Sequence, residues 1–145
     1  MSEYHVALDV DDTILGGPDS VLRPHLKTLF EFCASNFATI SLLTLSRESE
    51  CRRKLGELYD EYVTQHIYAF PRKENNFSTN KDLRWIHNDI SKVIMVEDPL
   101  AETLNIDWQQ QKDRYIVVSA FDFNNPQEDN ELLSVIETME KKLKT

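Results

Sequence analysis

Three acidic residues follow an apolar run near the start of the chain. In the segment "VALDVDDTIL", residues 6–15, Asp9, Asp11 and Asp12 come after three apolar positions. A lone aspartate in such a place more often ends a strand or caps a helix than takes part in chemistry. Three carboxylates close together, however, repel one another unless an opposite charge offsets their own. A divalent cation supplies that charge, and a site built only from oxygen ligands favours Mg²⁺.

The elements that must position these carboxylates are predicted from hydrophobic periodicity. Apolar runs predict five strands, at residues 4–9, 38–44, 66–70, 92–97 and 114–119. Apolar residues at helical spacing predict four helices, at residues 23–36, 48–63, 80–90 and 129–145. Strands that alternate with helices indicate an α/β fold, a central parallel five-stranded sheet with helices on both faces.

Length and composition indicate one globular domain, residues 1–145. Apolar residues make up 41% and charged residues 28% of the chain, an ordinary mixture for a soluble protein. No apolar run approaches the ~20 residues that span a bilayer, and the N-terminus has no secretory signal. These two absences predict no membrane partner. Cys33 and Cys51 are expected to be reduced thiols, which together with the missing signal predicts a cytoplasmic or nuclear location. The formal net charge of −9 disfavours general nucleic-acid binding, which needs Lys and Arg to displace counterions.

Polar residues end three of the five predicted strands. Asp9 ends the first strand, Thr44 ends the second, and Glu97 and Asp98 end the fourth. Because ligands of open α/β sheets bind at the carboxyl ends of the strands, we expect these groups to meet at one edge of the sheet.

Four short motifs resemble those of the haloacid dehalogenase (HAD) superfamily of phosphotransferases, and they come in the same order. The segment "LDVDDTIL" resembles the D-x-D-x-T signature, and Thr44 in "SLLTLS" resembles the second motif, a Ser or Thr at a strand end. Lys81 in "NKDL" resembles the third motif, and "VIMVEDP" resembles the fourth, an acidic pair after a strand. The fourth motif departs from the usual Asp followed by Asp or Asn, because Glu97 comes first. The resemblance implies a HAD-like Rossmannoid fold.

Within that superfamily the chain resembles the FCP/SCP-type (NLI-interacting-factor-like) phosphatases. The similarity rests on "VLRPHLKTLFEF", "TLS", "KDL" and the closing segment, and it covers nearly the whole chain. Phosphatases of this type remove phosphate from the C-terminal tail of RNA polymerase II and from related phosphoproteins. They carry a small β-stranded insertion between the first two motifs, whereas only "GGPDSV" separates the acidic loop from the first helix here. We therefore expect a capless, open site.

The resemblance implies a role for each motif residue. Asp9 is the nucleophile that forms an aspartyl-phosphate, and Asp11 protonates the leaving oxygen and then takes a proton from water. Thr44 binds a phosphoryl oxygen, and Lys81 neutralises the nucleophile and the phosphate. Arg72 follows the third strand and is a candidate contact of the substrate phosphate or of a peptide, although a solvated loop arginine is an equally good interpretation.

The cofactor that the resemblance implies is a Mg²⁺ ion. Its ligands are Asp9, the backbone carbonyl of Asp11, and Asp98. Glu97 is expected to be a further ligand or a neighbour of the ion, since its longer side chain departs from the family pattern.

Each motif residue also has a structural interpretation. Thr44 can satisfy its own backbone at a strand end, Lys81 can be a surface lysine of a helix, and Glu97 and Asp98 can cap a turn. Each structural interpretation is plausible for its own residue. If all of them were correct, however, four motifs would have occurred by chance in the order of the family. Thr13 is interpreted only as a brace of the acidic loop through its hydroxyl.

The sequence thus predicts a Mg²⁺-dependent phosphatase, a phosphoric monoester hydrolase whose partner is a phosphoprotein carrying phosphoserine or phosphothreonine. An open site favours a macromolecular substrate, since the substrate itself can exclude water. Three alternatives stay open: a phosphatase of small metabolites, a phosphotyrosine phosphatase of the magnesium-dependent type, and a non-catalytic phosphate-binding adaptor. Asp11 argues against the adaptor, because a relative without activity commonly loses this acid and base.

Overall fold

Five parallel strands form the central sheet of the protein. The computed structural model describes residues 2–70, 81–105 and 107–144. The strands within them are β1 (His5–Leu8), β2 (Leu15–Gly16), β3 (Val21–Leu22), β4 (Thr39–Thr44), β5 (Gln65–Tyr68), β6 (Val93–Glu97) and β7 (Tyr115–Val117). The central sheet has the order β5-β4-β1-β6-β7, and each neighbouring pair in it is parallel. The predicted α/β fold with a central parallel five-stranded sheet is confirmed.

The central strand, β1, marks the point where the chain reverses its direction of winding. From β1 the chain runs outward to β4 and β5, then crosses to β6 on the other side and continues to β7. The backbone amide of Asp9 donates to the carbonyl of Val96 at 2.9 Å, which keeps β1 and β6 in register at their carboxyl ends. Ligands of such sheets bind in the crevice at this reversal point.

Helices pack around the sheet. They are α1 (Leu26–Asn36), α2 (Glu48–Leu55), α3 (Glu57–Tyr62), α4 (Ala101–Leu104), α5 (Trp108–Gln111) and α6 (Glu131–Leu143), and short 3₁₀ turns occur at Leu83–Trp85, Ile90–Lys92, Lys112–Arg114 and Pro126–Glu128. On one face, α1 packs against α3 and α6. In the described part of the chain, no helix combines the length and the apolar composition that crossing a bilayer would need.

Apolar side chains fill a core on each face of the sheet. Along β1, Val6 and Leu8 lie in the larger core and Ala7, between them, lies in the smaller core on the opposite face. A parallel strand with helices on both sides requires this pattern, because successive side chains point to opposite faces and both faces are buried. Cys33 and Cys51 lie in the larger core as free, buried thiols, in agreement with the prediction.

Two of the predicted helices differ from the structure. The helix predicted at 48–63 is interrupted at Gly56, which has a positive φ of 58° and separates α2 from α3. The helix predicted at 80–90 is wrong, because the described part of this segment contains only a 3₁₀ turn at Leu83–Trp85, and a second 3₁₀ turn, Ile90–Lys92, begins at its last residue. The carboxylates of Asp82 and Asp89 accept the amides two residues further on, and such local hydrogen bonds compete with a helix.

A short antiparallel ribbon follows the acidic loop, where the sequence predicts only a connection. It consists of β2 and β3, with two residues in each strand. Gly17 begins the turn between them with a φ of +81°, and a Cβ at this position would lie 2.7 Å from the ring of Phe123. Glycine is therefore required here both by the backbone conformation and by the ring packed against it.

A buried arginine ties the C-terminal part of the chain to the acidic loop. The side chain of Arg23 has no exposed surface. Its Nε lies 3.0 and 3.1 Å from the two carboxylate oxygens of Asp129, and its Nη1 donates to the carbonyl of Thr13 at 3.0 Å. The amide of Phe121 also donates to the carbonyl of Asp12 at 3.2 Å. The residues after β7 therefore hold the loop that carries the acidic cluster.

Asp129→Ala is expected to lower the free energy of unfolding by about 3–5 kcal/mol, because it leaves the buried charge of Arg23 without its carboxylate. Urea denaturation measures this change. Glu50→Ala breaks the exposed Arg53–Glu50 ion pair and is the control, which should leave the free energy unchanged within error. Equal losses for the two variants would contradict the importance given to burial of the Arg23 pair.

Candidate active site

The candidate active site is a cavity of about 140 Å³ at the carboxyl ends of β1, β4 and β6. Its lining residues are Asp9, Asp11, Asp12, Thr44, Leu45, Lys81, Asp98, Leu100 and Leu104. One residue from each of the four motifs, namely Asp9, Thr44, Lys81 and Asp98, therefore lies at the same place, although the motifs are far apart in the sequence. The polar groups that follow the strands therefore meet at one edge of the sheet, as the sequence predicts.

The ammonium of Lys81 joins two buried carboxylates. Its Nζ lies 2.8 Å from Asp9 Oδ1 and 2.8 Å from Glu97 Oε2, and only 1% of the Lys81 side chain is exposed. Burial alone would lower the pKa of Lys81, but the charges of Asp9 and Glu97 raise this pKa above its usual value. Lys81 is therefore a buried cation of the site, and its interpretation as a surface lysine is wrong.

The segment that begins with Lys81 is not the predicted helix, and the buried side-chain amides of Asn105 and Gln111 fix its position. The backbone amide of Lys81 donates to the carbonyl of Leu104 at 2.7 Å. Nearby, Gln111 accepts from the side-chain amide of Asn105 at 3.0 Å and donates to the carboxylate of Asp82 at 3.1 Å. Asn105 and Gln111 are both buried, so the hydrogen bond between them is shielded from water, while the bond from Gln111 to Asp82 is partly buried. Together they fix the path of the segment.

Thr13 binds the second oxygen of Asp9. Its Oγ1 donates to Asp9 Oδ2 at 2.6 Å, and both residues are buried. The loop between them turns tightly, since the amides of Thr13 and Ile14 donate to the carbonyl of Val10 at 3.2 and 3.0 Å. Lys81 and Thr13 thus bind different oxygens of one carboxylate, which fixes its orientation. The sequence analysis gave Thr13 only a bracing role in the loop and did not predict this direct contact.

Asp11 lies at the mouth of the cavity, with 50% of its side chain exposed. Ser46 Oγ donates to Asp11 Oδ2 at 2.7 Å, and Lys54 Nζ lies 3.5 Å from Asp11 Oδ1. The amide of Ser46 donates to Thr44 Oγ1 at 3.0 Å. Thr44 therefore bonds to nearby backbone at the strand end, as its structural interpretation states, and it also lines the cavity.

Three buried carboxylates are close enough to hold a cation. Oxygens of Asp9, Glu97 and Asp98 lie within 4.8 Å of one another. With the ammonium of Lys81 they carry a formal charge of −2 when ionised (three negative charges and one positive), which a single divalent cation balances. Burial and then the charge of Asp9 raise the pKa of Glu97, although Lys81 opposes them, and burial also raises the pKa of Asp98. An all-oxygen set with this charge suits Mg²⁺.

Of the two residues of the fourth motif, Asp98 is better placed than Glu97 to bind such a cation. Glu97 Oε2 is engaged by Lys81, and its Oε1 accepts the amide of Asp98 at 3.2 Å. Asp98 Oδ1 accepts the amide of Leu100 at 2.8 Å, and its Oδ2 has no hydrogen-bond donor among the described residues. The side chain of Asp11 lies outside the group of three, and the family resemblance assigns only its backbone carbonyl to the metal.

Sequence reasoning and the structure differ at a few other residues. Arg72, the candidate contact of the substrate phosphate, lies outside the described residues. Arg23 and Gln111 help to build the site but were not singled out. Their partners, Asp129 and Asp82, lie 106 and 29 positions away in the chain, so no local pattern could have indicated these contacts.

The chain is similar to known proteins in sequence family and in fold. A family model described as "NLI interacting factor-like phosphatase" matches residues 3–145. Among solved structures, the chain resembles an uncharacterized protein from Listeria monocytogenes serotype 4b, with a TM-score of 0.66 and 17% sequence identity over 98% of this chain and 99% of that chain. At this identity the likeness shows the fold alone. No curated protein matches the chain.

Thr13→Val is expected to lower the free energy of unfolding by about 1–3 kcal/mol in buffer without divalent cations, because Asp9 Oδ2 loses its buried donor while the side-chain volume hardly changes. Chemical denaturation measures the loss. Thr13→Ser keeps the hydroxyl and should be close to wild type. If the serine variant loses as much stability as the valine variant, packing of the Thr13 methyl group is responsible and the hydrogen bond is not.

Proposed function

Since the chain belongs to the NLI interacting factor-like phosphatase family and is therefore a phosphatase, we propose that it hydrolyses phosphate monoesters with Asp9 as the nucleophile. The observation that carries this proposal is the fixed carboxylate of Asp9, bound by Lys81 at 2.8 Å on one oxygen and by Thr13 at 2.6 Å on the other. A carboxylate held in this way at the cavity has little orientational freedom left to lose when it attacks phosphorus.

In the first proposed step, an oxygen of Asp9 bonds to phosphorus while the bond between phosphorus and the leaving oxygen breaks. Asp11, at the mouth of the cavity, gives a proton to the leaving oxygen. The hydroxyl of Thr44 and the ammonium of Lys81 donate hydrogen bonds to phosphoryl oxygens and stabilise their negative charge. The products are a free alcohol or phenol and an aspartyl-phosphate on Asp9.

In the second proposed step, water attacks the phosphorus of the aspartyl-phosphate. Asp11, now ionised, accepts a proton from this water, and the bond between phosphorus and the oxygen of Asp9 breaks. Inorganic phosphate leaves, and both carboxyl groups return to their starting states. The contacts of Ser46 and Lys54 with Asp11 support this role, because they keep the Asp11 carboxyl group at the cavity mouth.

The proposed cofactor is Mg²⁺, held by Asp9, Asp98 and the backbone carbonyl of Asp11. The residues present fit this ion, because the donors are oxygens and the charge of the cluster is matched by two positive charges. Glu97 then serves mainly to position Lys81, with which it shares a contact of 2.8 Å. When bound, the ion supplies positive charge that stabilises the phosphoryl oxygens.

The proposed substrate is a phosphorylated protein side chain. The ribbon of β2 and β3 has only two residues in each strand, and the described residues contain no separate cap domain above the cavity. A side chain presented by another macromolecule can therefore approach the site. The resemblance to FCP/SCP-type phosphatases implies phosphoserine or phosphothreonine as the phosphorylated residue.

Asp9→Asn is expected to lower kcat by about 10⁴-fold or more, because the amide that replaces the carboxylate is not a nucleophile. The assay is release of inorganic phosphate from an aryl phosphate in the presence of Mg²⁺. Asp19→Asn changes an exposed acid in the turn of the ribbon and should retain the activity of the wild type. Full activity of a folded Asp9→Asn variant would refute the assignment of the nucleophile.

Mg²⁺ is expected to raise the free energy of unfolding by about 2.7 kcal/mol at a concentration one hundred times its Kd, because it binds only the folded chain. Thermal unfolding with Mg²⁺ and with EDTA measures this gain. Asp98→Asn should remove most of it, whereas Asp60→Asn, which changes an exposed acid paired with Arg52, should retain it. Equal gains in the two variants would place the ion away from Asp98.

A further inference from the structure

A histidine of β5 contacts the loop that follows β4. The Nε2 atom of His66 lies 3.0 Å from the backbone carbonyl oxygen of Ser46. Since a carbonyl oxygen only accepts hydrogen bonds, Nε2 must carry the proton that it donates. In the sheet His66 is paired with Leu42, which comes well before Ser46, so the contact exists only because the chain bends at residues 45–46 before α2 begins. His66 therefore supports this bend.

The amide, the hydroxyl and the carbonyl of Ser46 each have a partner. The carbonyl accepts from His66, the hydroxyl donates to Asp11 Oδ2 at 2.7 Å, and the amide donates to Thr44 Oγ1 at 3.0 Å. Because the hydroxyl of Thr44 accepts this amide, its own proton stays available for a phosphoryl oxygen. Ser46 thus connects His66 both to the proposed acid, Asp11, and to the proposed phosphate ligand, Thr44.

The second ring nitrogen of His66 argues against a role in packing alone. Nδ1 is buried and has no hydrogen-bond partner among the described residues. A buried polar atom without a partner costs free energy, and an apolar side chain would avoid that cost. The next residue of β5, Ile67, is such a side chain and packs against the smaller core. The imidazole at position 66 is therefore explained by the hydrogen bond that its other nitrogen donates.

The ring of His66 is itself held in place. The buried ring of Tyr59 lies beside it, with the two ring centres 6.1 Å apart. The hydroxyl of Tyr59 in turn donates to Glu48 Oε1 at 3.3 Å, and Glu48 is the first residue of α2. Close-packed side chains of this kind keep a single conformation on average. His66 therefore gives the bend after β4 a fixed support.

We propose that His66 is a positioning residue that acts through Ser46 on the acid Asp11. His66 is not among the residues that line the cavity, so its effect on the reaction is indirect. The proposal rests on the phosphatase function proposed above, in which Asp11 gives a proton to the leaving oxygen. Half of the Asp11 side chain is exposed (50%), and Ser46 and Lys54 are the residues that keep it from turning into solvent. An acid that is misplaced by about 1 Å is much less effective.

Leaving groups that differ in their need for a proton separate this role from a general effect on structure. The alkoxide of serine must be protonated as the ester bond breaks, whereas 2,4-dinitrophenolate leaves as a stable anion. The value of kcat/KM covers the steps up to this first cleavage, so hydrolysis of the aspartyl-phosphate does not affect it. A misplaced acid therefore lowers kcat/KM for phosphoserine far more than for dinitrophenyl phosphate.

The test measures kcat/KM of the whole chain, with Mg²⁺, on a phosphoserine peptide and on 2,4-dinitrophenyl phosphate. His66→Leu removes the donor at similar volume and should lower the value for the peptide about 10- to 100-fold. For the aryl phosphate the loss should be about threefold or less, since only the contact of Ser46 with Thr44 affects this substrate. His66→Gln places an amide N–H near the position of Nε2 and should restore most of the loss.

Two further variants test whether His66 acts through Ser46. Ser46→Ala removes the hydroxyl that binds Asp11 and should show the same difference between the two substrates. The double variant His66→Leu/Ser46→Ala should change the ratio of the two kcat/KM values no more than Ser46→Ala alone, because residues that act through one contact are not additive. Independently of any variant, the ¹⁵N chemical shifts of the neutral His66 ring should place its proton on Nε2.

His5→Leu is the matched control. His5 is also a partly buried histidine of the central sheet, and its side chain bonds to Thr39 Oγ1 at 2.7 Å, but it lies at the amino end of β1 and does not line the cavity. This variant should leave the ratio of the two kcat/KM values unchanged.

The inference is overturned if His66→Leu lowers both values equally or lowers neither, or if His66→Gln loses as much of the ratio as His66→Leu. It is also overturned if the two single losses of the ratio multiply in the double variant, or if the neutral ring carries its proton on Nδ1. A wild-type protein that hydrolyses neither substrate would instead show that the proposed phosphatase function is wrong.

Discussion

The buried ammonium of Lys81 is the interaction on which the candidate site depends. Asp9 directly follows β1 and Glu97 ends the neighbouring strand β6, so the sheet itself brings two buried carboxylates close together. Burying an ionised carboxylate is costly unless it is paired and hydrogen-bonded. Lys81 supplies that pairing with two contacts of 2.8 Å. The segment that carries Lys81 must therefore reach the strand ends, and the buried amides of Asn105 and Gln111 hold it there.

The contacts that stabilise this edge of the sheet are also those that orient the proposed nucleophile. Lys81 binds one oxygen of Asp9 and Thr13 binds the other, while Arg23 donates a hydrogen bond to the backbone carbonyl of Thr13. Arg23 is in turn paired with Asp129, near the start of α6. Stability of the C-terminal segment and orientation of a single carboxylate are thus linked through buried polar contacts, each of which would be costly to leave unpaired.

Periodicity predicted the sheet well because its inner strands, β1, β4 and β6, are buried on both faces and have nearly continuous apolar sequences, as in "ATISLLT" and "KVIMVE". It failed where polar side chains compete with the backbone. Leu83 is buried and Ile86 and Ile90 pack against the smaller core, as the apolar spacing requires, yet Asp82 and Asp89 bind nearby amides and the helix does not form. At Gly56 a positive φ ends α2, and the periodic apolar residues on either side conceal this break.

The sequence by itself determined the alternation of strands and helices, the strands that end in polar groups and the order of the four motifs. These features are local, because each depends on the types of residues that are close together in the chain. Only the tertiary structure decided that Lys81 is buried between Asp9 and Glu97, that Thr13 binds Asp9 directly, and that residues of all four motifs line one cavity. Such contacts join residues that are distant in the chain or depend on the path of a loop, and burial then gives them their strength by excluding water.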